Sequence, residues 1–158
     1  MQRILDCMDR ILQKIIIGTM AFMLFFTFIQ VVARYLFESS LVYSEELSRY
    51  LFVWTVFLGL PVVAKRGGHM AVTALSGRLK GAAARMMSVA AYLVGIVFMA
   101  TMIVQGVEMV QRTSQQLSPA MEISMSWVYL SIPIGCLFMM LQMVSDLCAL
   151  LRKKEGGA

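Results

Sequence analysis

Histidine is almost missing from these 158 residues: the single one, His69, follows Gly67 and Gly68. A haem needs axial ligands, and a metal site needs several His, Cys or carboxylate groups together. One loop histidine supplies neither, and two preceding glycines free to take positive φ make a structural turn the better reading of that stretch. Cysteine is also scarce. Cys7, Cys136 and Cys148 show no CxxC spacing, so they read as packing residues or inert thiols rather than a redox pair. No cofactor is expected, and a redox membrane enzyme is disfavoured. Charge is the third shortage. Charged residues make up 15% of the chain and hydrophobic ones 59%, against about 25% and 45–50% in a typical soluble domain. A water-soluble fold of this composition would expose large apolar patches, and disorder needs low hydrophobicity. The chain is not expected to be an enzyme.

What charge there is falls in clusters, and the gaps between clusters carry the signal. Ile15 to Ala33 is a run of 19 uncharged residues, Tyr50 to Ala64 one of 15, Met86 to Val107 one of 22 and Ile123 to Ser145 one of 23. Roughly 20 helical residues cross a hydrocarbon core of about 30 Å. The second run is short, but Ser44 is a suitable N-cap, and Glu45 and Glu46 suit the positive end of a helix. A helix from there to Lys65 is long enough. None of the four runs carries the polar stripe of a soluble bundle helix. The expectation is an all-α membrane protein, a single domain over residues 1–158 with four transmembrane helices at about 13–35, 45–65, 85–108 and 123–147. The first run is longer than the apolar region of a signal peptide and is read as an uncleaved helix.

Orientation follows from the basic residues. Eleven of the fourteen lie in the N-terminal stretch (Arg3, Arg10, Lys14), between spans two and three (Lys65, Arg66, Arg78, Lys80, Arg85) and at the C-terminal end (Arg152, Lys153, Lys154). The other face has Arg34, Arg49 and Arg112. The positive-inside rule then places both termini in the cytoplasm. Tyr35, Tyr43, Tyr50, Trp127 and Tyr129 gather toward the opposite face as interfacial anchors. The net charge of +5 reads as topology and contact with membrane lipids. No basic patch interleaved with aromatics argues for a nucleic-acid partner.

No Asp, Glu, Lys, Arg or His lies centrally in a span. Ion-coupled pumps usually keep such a costly group for their task. The chain therefore lacks the parts of a self-sufficient transporter and reads as a small subunit serving a larger partner. The alternative is a self-assembling small transporter or channel. Candidate packing surfaces are a small-residue face of Ala84, Ser88, Ala91 and Gly95, a helix interruption at Pro133 that Gly135 would ease, and the side chains of Trp54 and Trp127. The densest polar cluster runs from Tyr43 to Arg49. Glu45 and Arg49 are i,i+4 in the favourable order. Arg34 closes the first span on the same face, and a salt bridge from it to Glu45 or Glu46 would tie the first two helices together.

Several stretches carry a family resemblance: Ala33-Arg34-Tyr35-Leu36-Phe37, Ser44-Glu45-Glu46-Leu47-Ser48-Arg49, Phe52-Val53-Trp54, Phe57-Leu58-Gly59 and Lys65-Arg66-Gly67-Gly68-His69-Met70-Ala71-Val72. Gln116-Leu117-Ser118-Pro119-Ala120, Trp127-Val128-Tyr129 and Ile132-Pro133-Ile134-Gly135 continue it. In order and spacing they resemble the small membrane subunit of tripartite ATP-independent periplasmic (TRAP) transporters, the DctQ-like family. Tyr43 stands where that family usually has Trp, and Ser124 where it usually has Pro. The resemblance implies a one-to-one pairing with a large membrane subunit that carries sodium sites and moves its substrate by an elevator motion. It also implies a periplasmic substrate-binding protein delivering an organic acid, and a place in a bacterial inner membrane. The small subunit would enlarge the static scaffold. A separate expectation, beyond the resemblance, is that the Glu45–Arg49 region lies outside, where the binding protein docks.

Overall fold

The computed structural model describes residues 2–36, 42–67 and 82–152. Among them are five helices: α1 (Gln2–Leu36), α2 (Val42–Gly67), α3 (Ala82–Arg112), a short α4 (Ser126–Tyr129) and α5 (Ser131–Arg152). His69 and the turn expected around it lie outside the described residues, as does most of the stretch from Phe37 to Tyr43. Four segments are long and apolar enough to cross a membrane: Cys7–Leu36, Val42–Lys65, Ala83–Arg112 and Ser126–Leu151. The chain is an all-helical, multi-pass membrane protein.

The helices pack in a row rather than as a closed bundle. α1 packs on α2, α2 on α5, and α5 on α3, while α1 and α3 make no comparable contact. This order explains why the spans show no polar stripe. Most large apolar side chains, including Phe25, Phe28, Val94 and Phe98, point outward. In hydrocarbon an outward apolar residue costs nothing, and only the backbone must be satisfied internally. The core is correspondingly thin. Leu12, Leu58 and Val62 are buried together, with Trp54, Ile134 and Phe138 packed against them.

α1 begins well before the first uncharged run. At about 1.5 Å per residue its 35 residues extend about 52 Å, more than a hydrocarbon core. The early turns hold because they are paired. Gln13 Nε2 donates to Asp9 one turn back (2.8 Å), Asp9 meets Lys65 of α2 (3.4 Å), and Leu12 buries itself on α2. Further along, the Thr19 and Thr55 hydroxyls lie 3.0 Å apart across the α1–α2 seam. Each also reaches a carbonyl of its own helix, Ile16 and Leu51 respectively. A hydroxyl has one proton, so two of these three bonds form at a time.

Two prolines shape the α2–α5 contact. Pro133 has no N–H for the carbonyl of Tyr129, and the helix is interrupted at Leu130 between α4 and α5. Leu130 keeps right-handed helical angles, φ −59° and ψ −24°. The buried Ser131 hydroxyl donates to the Val128 carbonyl (2.7 Å). The expected interruption thus falls three residues before the proline. Pro61 lies inside α2 and likewise leaves the Phe57 carbonyl without its helical donor. Gly135 of α5 sits against that carbonyl: a Cβ there would meet the Phe57 oxygen and lie 2.7 Å from its carbonyl carbon. Gly135 therefore serves close approach of two backbones, with Cα–H groups facing a freed oxygen, rather than easing a kink.

Candidate functional site: a carboxylate clamp at one end of the helix row

The polar cluster at the start of α2 is organised around Glu46. One carboxylate oxygen accepts the backbone N–H of Met121 (2.9 Å) and of Ala120 (3.1 Å). The other accepts the Tyr50 hydroxyl (2.5 Å). Glu46 thus ties α2 to the turn that joins α3 to α4. The turn is itself well bonded. Ser118 N–H donates to Ile123 (2.9 Å), Met125 N–H to Gln116 (2.9 Å) and Glu122 N–H to Ser118 (3.2 Å). Glu122 has φ 53°, the left-handed region that closes a tight turn. The buried Ser118 hydroxyl also accepts the Met121 N–H (3.2 Å). Ser124 donates to the Ser114 carbonyl (3.0 Å), so its hydroxyl pins the turn where the family pattern has a ring.

Glu45 has a different task. One residue along a helix turns the side chain by about 100°, and Glu45 faces outward to pair with Arg49. Their side chains are 49% and 72% exposed, so the pair adds at most a few tenths of a kcal/mol. The bridge expected from Arg34 to Glu45 or Glu46 is not formed. Both carboxylates are taken by closer donors, and Arg34 at the exposed last turn of α1 makes no ion pair with either among the described residues. Trp54 is half-buried and donates its indole N–H to the Trp127 carbonyl (3.2 Å). Trp127 offers its backbone carbonyl to this bond while the residue as a whole stays 65% exposed.

The small-residue face of α3 divides. Ser88 is buried and donates to the Ala84 carbonyl (2.9 Å). Gly95 lies against Met143 of α5. Ala91 points outward, and the buried residue beside it is Tyr92. Part of this face therefore packs within the chain. Pro133 is buried with its ring against Gly106, where a Cβ would lie 3.0 Å from Pro133 Cδ.

Reasoning from sequence missed Tyr50, Ser118 and the Ala120–Met121 amides as members of the cluster. The amides have no signature, since any residue except proline supplies one. It also counted Arg85 with the basic residues between spans two and three. Arg85 sits in the first turn of α3 and donates to the carbonyls of Leu150 (2.9 Å) and Leu151 (3.3 Å), satisfying the end of α5. Among the described residues no group of three His, Cys, Asp or Glu could hold a metal ion. The cluster binds helices to a turn, and its groups are engaged with one another rather than poised on a reactant.

Residues 23–153 match the family described as tripartite ATP-independent periplasmic transporters, DctQ component. Two Haemophilus influenzae proteins bearing the name TRAP transporter small permease protein are similar to the chain. One is 27% identical over 148 residues, covering 91% of this chain and 90% of that protein. The other is 35% identical over 79 residues and spans about half of each, 50% and 49%. The sialic acid TRAP transporter small permease protein SiaQ of Vibrio cholerae is 28% identical over 127 residues, 80% of this chain and 73% of its own length. The fold, the resemblance in motif order and these matches agree: the chain belongs to the DctQ family, the small membrane subunits of TRAP transporters.

Proposed function

We propose that the chain is the static scaffold subunit of a sodium-driven importer of an organic acid in a bacterial inner membrane. It pairs with a large subunit that carries the sodium sites and the moving elevator. The observation that carries this reading is the open row of four spans. Large apolar side chains along the row are exposed to its surroundings, and no Asp, Glu, Lys, Arg or His lies centrally in a span to bind an ion or substrate. Such a body can brace a moving partner but has nothing with which to transport alone.

Both termini are cytoplasmic in this reading, so the Glu46 end of the row faces the periplasm. The turn held by Glu46 and the exposed Glu45–Arg49 pair then form the surface on which a periplasmic substrate-binding protein docks. The relative named for sialic acid is consistent with an acidic substrate, whose identity is set by the other components. The test is uptake into proteoliposomes. The chain with its large subunit, a sodium gradient and the loaded binding protein should accumulate substrate, and neither membrane subunit alone should do so. Uptake or conductance by this chain alone would favour the self-assembling alternative. Charge reversal at Glu45 that left binding-protein affinity and uptake unchanged would remove the docking role.

A further inference from the structure

A groove at the Glu46 end of the row adjoins the clamp and shares Glu46, Tyr50 and Ala120 with it. The groove, of about 630 Å³, opens between α2, the 113–125 turn and α5, within the range of roughly 300–1,000 Å³ typical of small-molecule sites. Its walls are apolar: Phe52, Val53 and Phe57 of α2 face Ile132 of α5. Charge appears only at the rim, where Glu45, Glu46 and Arg49 line it. Glu46 is engaged by the Ala120 and Met121 amides. Glu45 and Arg49 are engaged only with each other, at 49% and 72% exposure. An exposed pair of this kind is worth so little that it rearranges readily around a ligand.

We propose that this groove holds one zwitterionic phospholipid of the adjacent leaflet, phosphatidylethanolamine in type. One acyl chain lies along Phe52, Val53, Phe57 and Ile132. The ammonium group meets the Glu45 carboxylate and the phosphate the Arg49 guanidinium. Charge and length both match. The rim carries one exposed ion pair, Glu45 with Arg49, whose two charges are complementary to a headgroup of both signs once the pair opens, whereas Glu45 repels a purely anionic headgroup. Val42 and Phe57 both line the groove, and the helix between them extends about 22 Å, against roughly 20–22 Å for one leaflet with its headgroup layer. A hydrophobic helix of a partner protein would fill the apolar walls but has no group for the ionic rim. The inference needs only that the chain spans a membrane, so it survives failure of the proposed docking or orientation.

The test is native mass spectrometry of the full chain, alone and assembled with its large membrane subunit, released from detergent containing phosphatidylethanolamine or phosphatidylglycerol. Retention of phosphatidylethanolamine should exceed that of phosphatidylglycerol about tenfold. Glu45→Gln with Arg49→Gln should abolish the preference, and being on an exposed surface these changes leave folding intact. Val53→Trp should fill the groove and lower retention, whereas Val94→Trp on the outward face of α3 should not. Equal retention of the two lipids, or an unchanged preference in the Gln variants, overturns the proposal. So does loss of the lipid on assembly, with crosslinks from position 53 to the large subunit, because that shows a partner helix in the groove.

Discussion

Glu46 of α2 and Met121 of the α3–α4 turn are joined by a hydrogen bond of 2.9 Å across 75 positions of sequence. With the neighbouring Ala120 amide, this bond makes the 113–125 turn part of the helix row rather than a free loop. The turn's exposed apolar residues, Leu117 and Ile123, are thereby held in one place at the membrane surface.

Replacing Glu46 by Ala should free this turn. Amide exchange at Ala120 and Met121 should quicken by about tenfold or more, since their opening becomes local. Glu45→Ala should leave both amides protected. Hydrogen exchange read by mass spectrometry on the two variants checks this, and equal protection in wild type and Glu46→Ala would show that the turn holds itself.

The absence of a bond from Arg34 to either carboxylate sets a second expectation. Thermal stability losses from Arg34→Ala and Glu46→Ala should add in the double variant, as for independent sites. Tyr50→Phe and Glu46→Ala share a hydrogen bond and should be non-additive. Coupling in the first pair would restore the salt bridge that the sequence suggests.

Three glycines give a graded series. In Gly135→Ala the new Cβ meets the Phe57 backbone, which cannot yield, so a loss of roughly 1–3 kcal/mol is expected. Gly106→Ala places it 3.0 Å from Pro133 Cδ and 3.2 Å from Ile132 Cγ2 and should cost less. Gly95→Ala meets the tip of the flexible Met143 side chain and should cost least. Melting temperatures in one detergent rank the three, and a tolerated Gly135→Ala would refute the close α2–α5 approach.

Orientation is open to cysteine labelling. In a chain with Cys136 and Cys148 replaced by Ala, the exposed Cys7 should react with an impermeant maleimide only after the inner membrane is opened. Glu122→Cys, with Cys7 also removed, should react in cells whose outer membrane alone is permeable. The reverse pattern would invert the topology.

The spans were legible because charge cannot remain in hydrocarbon, so uncharged runs mark them. Helix order was not. Residues facing lipid, a neighbouring helix or a partner protein are equally apolar, so periodicity does not reveal that α5 lies between α2 and α3. Glu45 and Glu46 show the same limit at the site. They are identical and adjacent, and only the helical turn between them sends one to Arg49 and the other to the Met121 amide. Pro133 announced a break but not its position, which is fixed by the carbonyl four residues earlier. Gly135 looked like a kink residue because nothing in the sequence places Pro61 and its freed Phe57 carbonyl opposite it.

In the proposed function this chain acts as one component of a larger membrane complex. Co-expression with the large TRAP subunit, purification through a tag on this chain and native mass spectrometry of the product test it most directly. The expected product is a complex holding one 17.7 kDa chain per large subunit. A homo-oligomer of this chain that excludes the large subunit would contradict it.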